Sequence, residues 1–149
     1  MTHQQAFSVV AAPLETVERT VRDVGHWPQF LLGLAEVAET SFGRYTFIIR
    51  DRVSVREAEV AVVAHPRDHR IVWRARAGPR FDGEIRLFPV DGSHTRGSLS
   101  LVADPTGFLG SLSELAHLQR QSTALLDLQR LESVVTGARP DGGAAAGPG

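Results

Sequence analysis

Glu114, His117 and Gln121 stand at i, i+3 and i+7 of a Leu-rich stretch, a spacing that places all three on one face of a helix. Leu118, Leu125 and Leu128 share that face, which is therefore partly apolar and partly titratable. Turned toward an apolar interior, Glu114 would orient His117 and raise its pKa, making His117 a general base for proton transfer. Turned outward, the same pair is only a solvated pair of polar groups. The spacing leaves both orientations open. Asp51 shares the strand parity of Phe47 and Ile49, but its place beside a turn favours exposure. His65 and His69 flank the Pro66-Arg67-Asp68 turn and read as loop histidines, and His3, His26 and His94 are isolated, so no metal constellation emerges.

Other chemistries are excluded by what the chain lacks. There is no cysteine, which removes disulfides, thiolate nucleophiles and Cys-ligated metal centres. All 16 basic residues are Arg, so no lysine is present to form a Schiff base. Gly107 and Gly110 lack the remaining glycines or the Gly-Lys-Ser/Thr ending of a phosphate loop, and neither Gly97-Ser98 nor Gly110-Ser111 sits in a nucleophile elbow. The net charge of -1 gives no broad attraction to nucleic acid. No apolar run approaches the length of a membrane span, and residues 1–10 lack a signal-peptide pattern, so the expectation is a cytoplasmic protein without a cofactor.

The elements that must position these residues follow from periodicity. Residues 3–11 read as a strand, and Pro13 is suited to opening a helix in which Val17, Val21 and Val24 form one apolar stripe that Gly25 ends. A second short helix is expected over Trp27 to Leu32. From Ala35 to Ala103, runs rich in Val, Ile, Phe, Tyr and Thr alternate with turn signals, predicting antiparallel strands near 35–42, 44–51, 53–64, 70–77, 80–89 and 94–103. After the break at Asp104-Pro105, the stretch from Leu109 to Val135 predicts one helix of about 40 Å. The Gly, Ala and Pro of residues 137–149 have too little apolar surface to order, so a single domain over 1–136 with a disordered tail is expected.

Alternation selects the faces. Phe81, Ile85 and Leu87 share one parity with Gly83, and Arg80, Asp82, Glu84 and Arg86 share the other. By the same reasoning Ile71, Trp73 and Ala75 oppose Arg74 and Arg76, while Leu99 and Leu101 oppose Arg96, Ser98 and Ser100. In two less regular strands, Tyr45, Phe47 and Ile49, and Ala58, Val60 and Val62, are the inward choice. With Trp27 and Phe30 from the short helix, the lining of an apolar pocket is expected to be Trp27, Phe30, Phe47, Val60, Val62, Trp73, Phe81, Ile85, Leu99 and Leu101, with Gln121 from the last helix. Each could instead be plain core. A curved sheet gripping a long helix is nevertheless hard to fill with side chains as small as Ala58, Ala75 and Gly83.

The pattern resembles the START-like, helix-grip superfamily, specifically its polyketide cyclase/dehydrase and lipid-transport group. The resemblance spans nearly all of the expected domain. It is carried by Ser8 to Pro13, Trp27-Pro28-Gln29-Phe30, Asp68 to Trp73, Gly83 to Pro89, Asp104 to Phe108 and Asp127 to Leu131. It implies an α+β helix-grip fold, a curved antiparallel sheet of about seven strands around a long C-terminal helix, with two short helices after the first strand. It also implies a small hydrophobic ligand such as a polyketide, quinone or lipid. The unpaired edges of a meander can pair between subunits, so monomer and homodimer are both open. Aromatase/cyclase members carry Trp, Ser and Arg at alternate positions of the third sheet strand, where this chain has Ala58, Val60 and Val62. The resemblance is thus closer to members with plain apolar pockets, and carrier and cyclase functions both follow from it.

Overall fold

The computed structural model describes residues 2–50, 55–103 and 123–137. Strand β1 (Thr2–Val10) is followed by helix α1 (Leu14–Arg22) and a 3₁₀ helix over Val24–Gln29. Six further strands follow: β2 (Leu34–Ser41), β3 (Arg44–Arg50), β4 (Val55–His65), β5 (Arg70–Ala77), β6 (Phe81–Asp91) and β7 (His94–Ala103). Helix α2 spans Thr123–Thr136. Among the described residues, the seven strands form one sheet in the order β1-β7-β6-β5-β4-β3-β2, with every paired neighbour antiparallel. The meander from β2 to β7 needs only short turns, whereas β1 joins it from across the chain, with Thr2 opposite Ala103.

Alternation decides the two faces as expected. Phe47, Ile49, Ala58, Val60, Ile71, Trp73, Phe81, Ile85, Leu87, Leu99 and Leu101 are all buried, while Arg44, Arg50, Arg74, Arg76 and Arg96 are exposed. Tyr45 and Val62 are half-buried. Ser98 departs from the expected pattern, because it is buried on the outer face. It lies in register between Phe7 and Arg86, two large neighbours beside a small hydroxyl.

The start of the chain differs from expectation at its first helix. Pro13 is the residue before the first turn, its carbonyl accepting from Thr16 and Val17, and α1 ends at Arg22 rather than Val24. Gly25 does not end it. Instead Trp27 Nε1 donates to Val21 O at 2.8 Å, taking the carbonyl that a continuing helix would have bonded to residue 25. Asp23 closes the last turn through its N–H to Thr20 O and accepts from His26 at 2.6 Å. The second helix accordingly starts at Val24, three residues before the expected Trp27, and is 3₁₀.

Helix α2 crosses the inner face over β1 and β7, burying Ala124, Leu128 and Leu131. The absence of a side chain at Gly97 permits the approach, since a Cβ there would lie 3.3 Å from Leu128 Cδ2. Polar ties fix the helix to the first third of the chain. Gln4 Oε1 accepts from Ala124 N, Glu132 accepts from Ala11 N at 3.0 Å, and Arg130 donates to Gln29 O. The expected beginning of this helix, from Leu109, and the tail beyond Gly137 lie outside the described residues.

Candidate ligand-binding site

The centre of the inner face is aromatic. Trp27 and Phe30 come from the 3₁₀ helix and its end, Phe47 from β3, Trp73 from β5 and Phe81 from β6, and each is at most 1% exposed. Their rings form one connected cluster. Trp27 and Trp73 lie 4.8 Å apart between centroids, Trp27 meets Phe47 edge-on at 6.0 Å, and Phe47 meets Phe81 edge-on at 5.9 Å. Such edge-to-face contacts suit the ring quadrupoles and add about 0.5–1.5 kcal/mol per pair to area burial. The short helix is thereby locked onto the sheet.

Around that cluster the register sets out rows across the sheet. One row runs through Leu101, Gly83, Trp73 and Val62, and the next through Leu99, Ile85 and Ile71. Gly83 is required where it stands: a Cβ there would be no further than 2.7 Å from three indole carbons of Trp73. The indole therefore lies directly against the backbone of β6. The Trp73 Nε1 atom is buried and has no hydrogen-bond partner among the described residues.

At the end of the face where the β2–β3 turn approaches the α1 to 3₁₀ junction, an open cleft of about 690 Å³ is lined by Val24, Tyr45, Val62 and Ile71, with Arg22, Arg44 and Glu39 among its polar residues. Burial, followed by the negative charges of Glu39 and Asp23, raises the pKa of the Tyr45 hydroxyl. Among the described residues, no cluster of His, Asp and Glu is arranged to hold a metal ion.

Asp127 is the polar feature of the buried side of α2. It is 1% exposed, and its Oδ1 accepts from Leu32 N at 2.8 Å, just beyond the 3₁₀ helix. Burial pushes its pKa well above the usual carboxylate range, against the opposing effects of the Leu32 hydrogen bond and the nearby Arg130 charge.

No family model matches the sequence, and no curated protein matches it. Solved structures do. The Zhui aromatase/cyclase from Streptomyces sp. R1128 superposes with a TM-score of 0.68 at 19% identity, over 96% of this chain and 99% of that one. A START superfamily protein from Mycobacterium smegmatis gives 0.68 at 16% identity, over 92% and 99%. The di-domain ARO/CYC BexL from the BE-7585A biosynthetic pathway gives 0.64 at 18% identity, over 90% of this chain and 47% of that one. The fold is the START-like helix grip.

Within the helix grip, the ten expected lining residues outside the last helix are brought onto one concave surface or its end. Trp27, Phe30, Phe47, Val60, Trp73, Phe81, Ile85, Leu99 and Leu101 are buried there, and Val62 borders the open cleft. Glu114, His117, Gln121 and Asp51 lie outside the described residues. Of the two histidines expected in a loop, His69 pairs with Glu18 at 3.3 Å, while His65 is the last residue of β4, opposite Arg70; His26 and His94, expected to be isolated, pair at the surface with Asp23 and Asp91.

Two polar residues of the helix grip escaped the sequence reading. Gln4 shares the inward parity of Ala6 on β1, and Asp127 lies at i+3 from Ala124 and i−4 from Leu131, both fully buried. Helical spacing alone could have placed Asp127 on the inner face. It was obscured because the Leu-rich segment has apolar residues on several sides.

Proposed function

We propose that this protein binds a small hydrophobic molecule of polyketide-like chemistry between the concave face of its sheet and its last helix, and promotes cyclisation or dehydration there. The observation that carries this reading is the inner surface itself: predominantly apolar among the described residues, with Gln4, Tyr45, Thr95 and Asp127 as polar exceptions, and with alanine at positions 58 and 75 and glycine at 83. Similarity in fold to aromatase/cyclases supports the choice of substrate class. Templating needs little machinery: a folded conformation of the substrate, excluded water and one acid/base group. Glu114 and His117 are proposed for that group, with Gln121 beside the ligand. The test is to incubate the purified protein with a reactive poly-β-ketone and follow ring closure. Acceleration over the uncatalysed rate that disappears in His117→Ala supports catalysis, and an unchanged rate with the native protein refutes it.

A second reading, a non-catalytic carrier of a quinone, lipid or biosynthetic intermediate, is favoured by one specific observation. Ala58 and Val60 are buried and Val62 half-buried on the inner face of β4, the strand on which aromatase/cyclase members resembling this chain carry Trp, Ser and Arg. Native mass spectrometry of the isolated protein separates the two readings. A retained hydrophobic ligand with no turnover of the poly-β-ketone supports the carrier. The absence of any bound ligand, with no thermal shift on adding one, argues against both.

A further inference from the structure

The chain contains two tryptophans, and their indole N–H groups are treated differently. That of Trp27 donates to Val21 O at 2.8 Å. That of Trp73 is buried in a wholly buried side chain and meets no acceptor among the described residues. A buried donor left unpaired costs about 1–3 kcal/mol, and buried tryptophans ordinarily find a partner. The neighbours of Trp73 along its row, Val62, Gly83 and Leu101, have no side-chain acceptor to offer. Gly83 also fixes the ring against β6, so the indole cannot readily turn its N–H elsewhere.

We propose that Trp73 Nε1 is the hydrogen-bond anchor of the ligand site, and that the ligand presents a carbonyl or quinone oxygen to it. The inference rests on the binding reading above and narrows it. Among the described residues, Trp73 Nε1 is the buried donor of this largely apolar inner face that has no acceptor, and a molecule that is apolar except for an acceptor satisfies it. A pure hydrocarbon leaves the donor unpaired, and a group that can only donate gains nothing from it.

Naphthoquinone and naphthalene are suitable probes because they share a fused two-ring frame and differ in the acceptor oxygens. In isotope-labelled protein, the indole region of a proton–nitrogen correlation spectrum contains two resonances, which Trp73→Phe assigns by deletion. Naphthoquinone is expected to move the Trp73 N–H resonance downfield to a bonded position, whereas naphthalene binds without doing so. Trp73→Phe is expected to weaken naphthoquinone about tenfold and to leave naphthalene within about twofold. The inference is overturned if naphthoquinone binds with the Trp73 resonance still unbonded, or if Trp73→Phe weakens both probes equally. Failure of both probes to bind the native protein overturns the binding reading itself, and this inference with it.

Discussion

Replacing Asp127 by Asn and by Ala separates its charge from its hydrogen bond. The folded pKa is raised by burial, while the unfolded carboxyl titrates near its ordinary value of about 3.9. For a group whose folded pKa lies above the unfolded one, the stabilising contribution is complete below the unfolded value and is lost as pH rises through the folded value. The native protein therefore bears a growing penalty between mildly acidic and neutral pH. Asp127→Asn mimics the protonated acid and keeps an oxygen to accept from Leu32 N at the observed 2.8 Å. It is expected to unfold at or above the native temperature at neutral pH, with an advantage that shrinks as pH falls. Asp127→Ala strands the Leu32 N–H and empties the site. That loss is expected to cost about 1–3 kcal/mol, a melting temperature lower by roughly 3–10 °C. Calorimetric scans of the three proteins across the acid to neutral range provide the assay. A difference between Asn and native forms that does not change with pH, or an Asn form that loses as much as the Ala form, would refute the reasoning.

Gly83→Ala should force the Trp73 indole from its place, destabilising the protein by about 1–3 kcal/mol and weakening the near-ultraviolet dichroism of the aromatic cluster. Trp27→Phe keeps most of the buried ring but removes the bond to Val21 O, and denaturant unfolding should report a loss of about 1–3 kcal/mol for the stranded carbonyl. Tyr45 is the only tyrosine, so an absorbance titration reads it alone, and its midpoint should lie above that of free tyrosine.

The faces of the sheet were legible because strand alternation is strict. Once Phe81, Ile85 and Leu87 are set against Arg80, Asp82, Glu84 and Arg86, the inner surface follows without any three-dimensional information. The union of the aromatic residues into one cluster was not legible. Trp27 reaches Trp73 across 46 positions of chain, and no local pattern encodes that distance. The end of α1 was misjudged for the same reason: Gly25 is a local stop signal, but the Trp27 indole that takes the Val21 carbonyl overrides it. The inward position of Asp127 was encoded in helical spacing, but its partner was not, because Leu32 N is a backbone group and a backbone donor leaves no mark in a sequence.

The pairing of β1 with β7 sets an order of events. Thr2 meets Ala103, and the ties from α2 reach back 120 residues to Gln4 and 121 residues to Ala11. Strands β2 to β6 can pair as soon as their short turns close, but β1 has no neighbour until β7 exists and no cover on its inner face until α2 docks. Closing so long a loop is entropically costly and slows folding relative to local pairing. Pulse-labelled hydrogen exchange during refolding should therefore find amides of β3 to β5 protected before those of β1, and simultaneous protection would contradict this order. The strand synthesised first is the one that must wait longest, so the chain completes its sheet at its beginning.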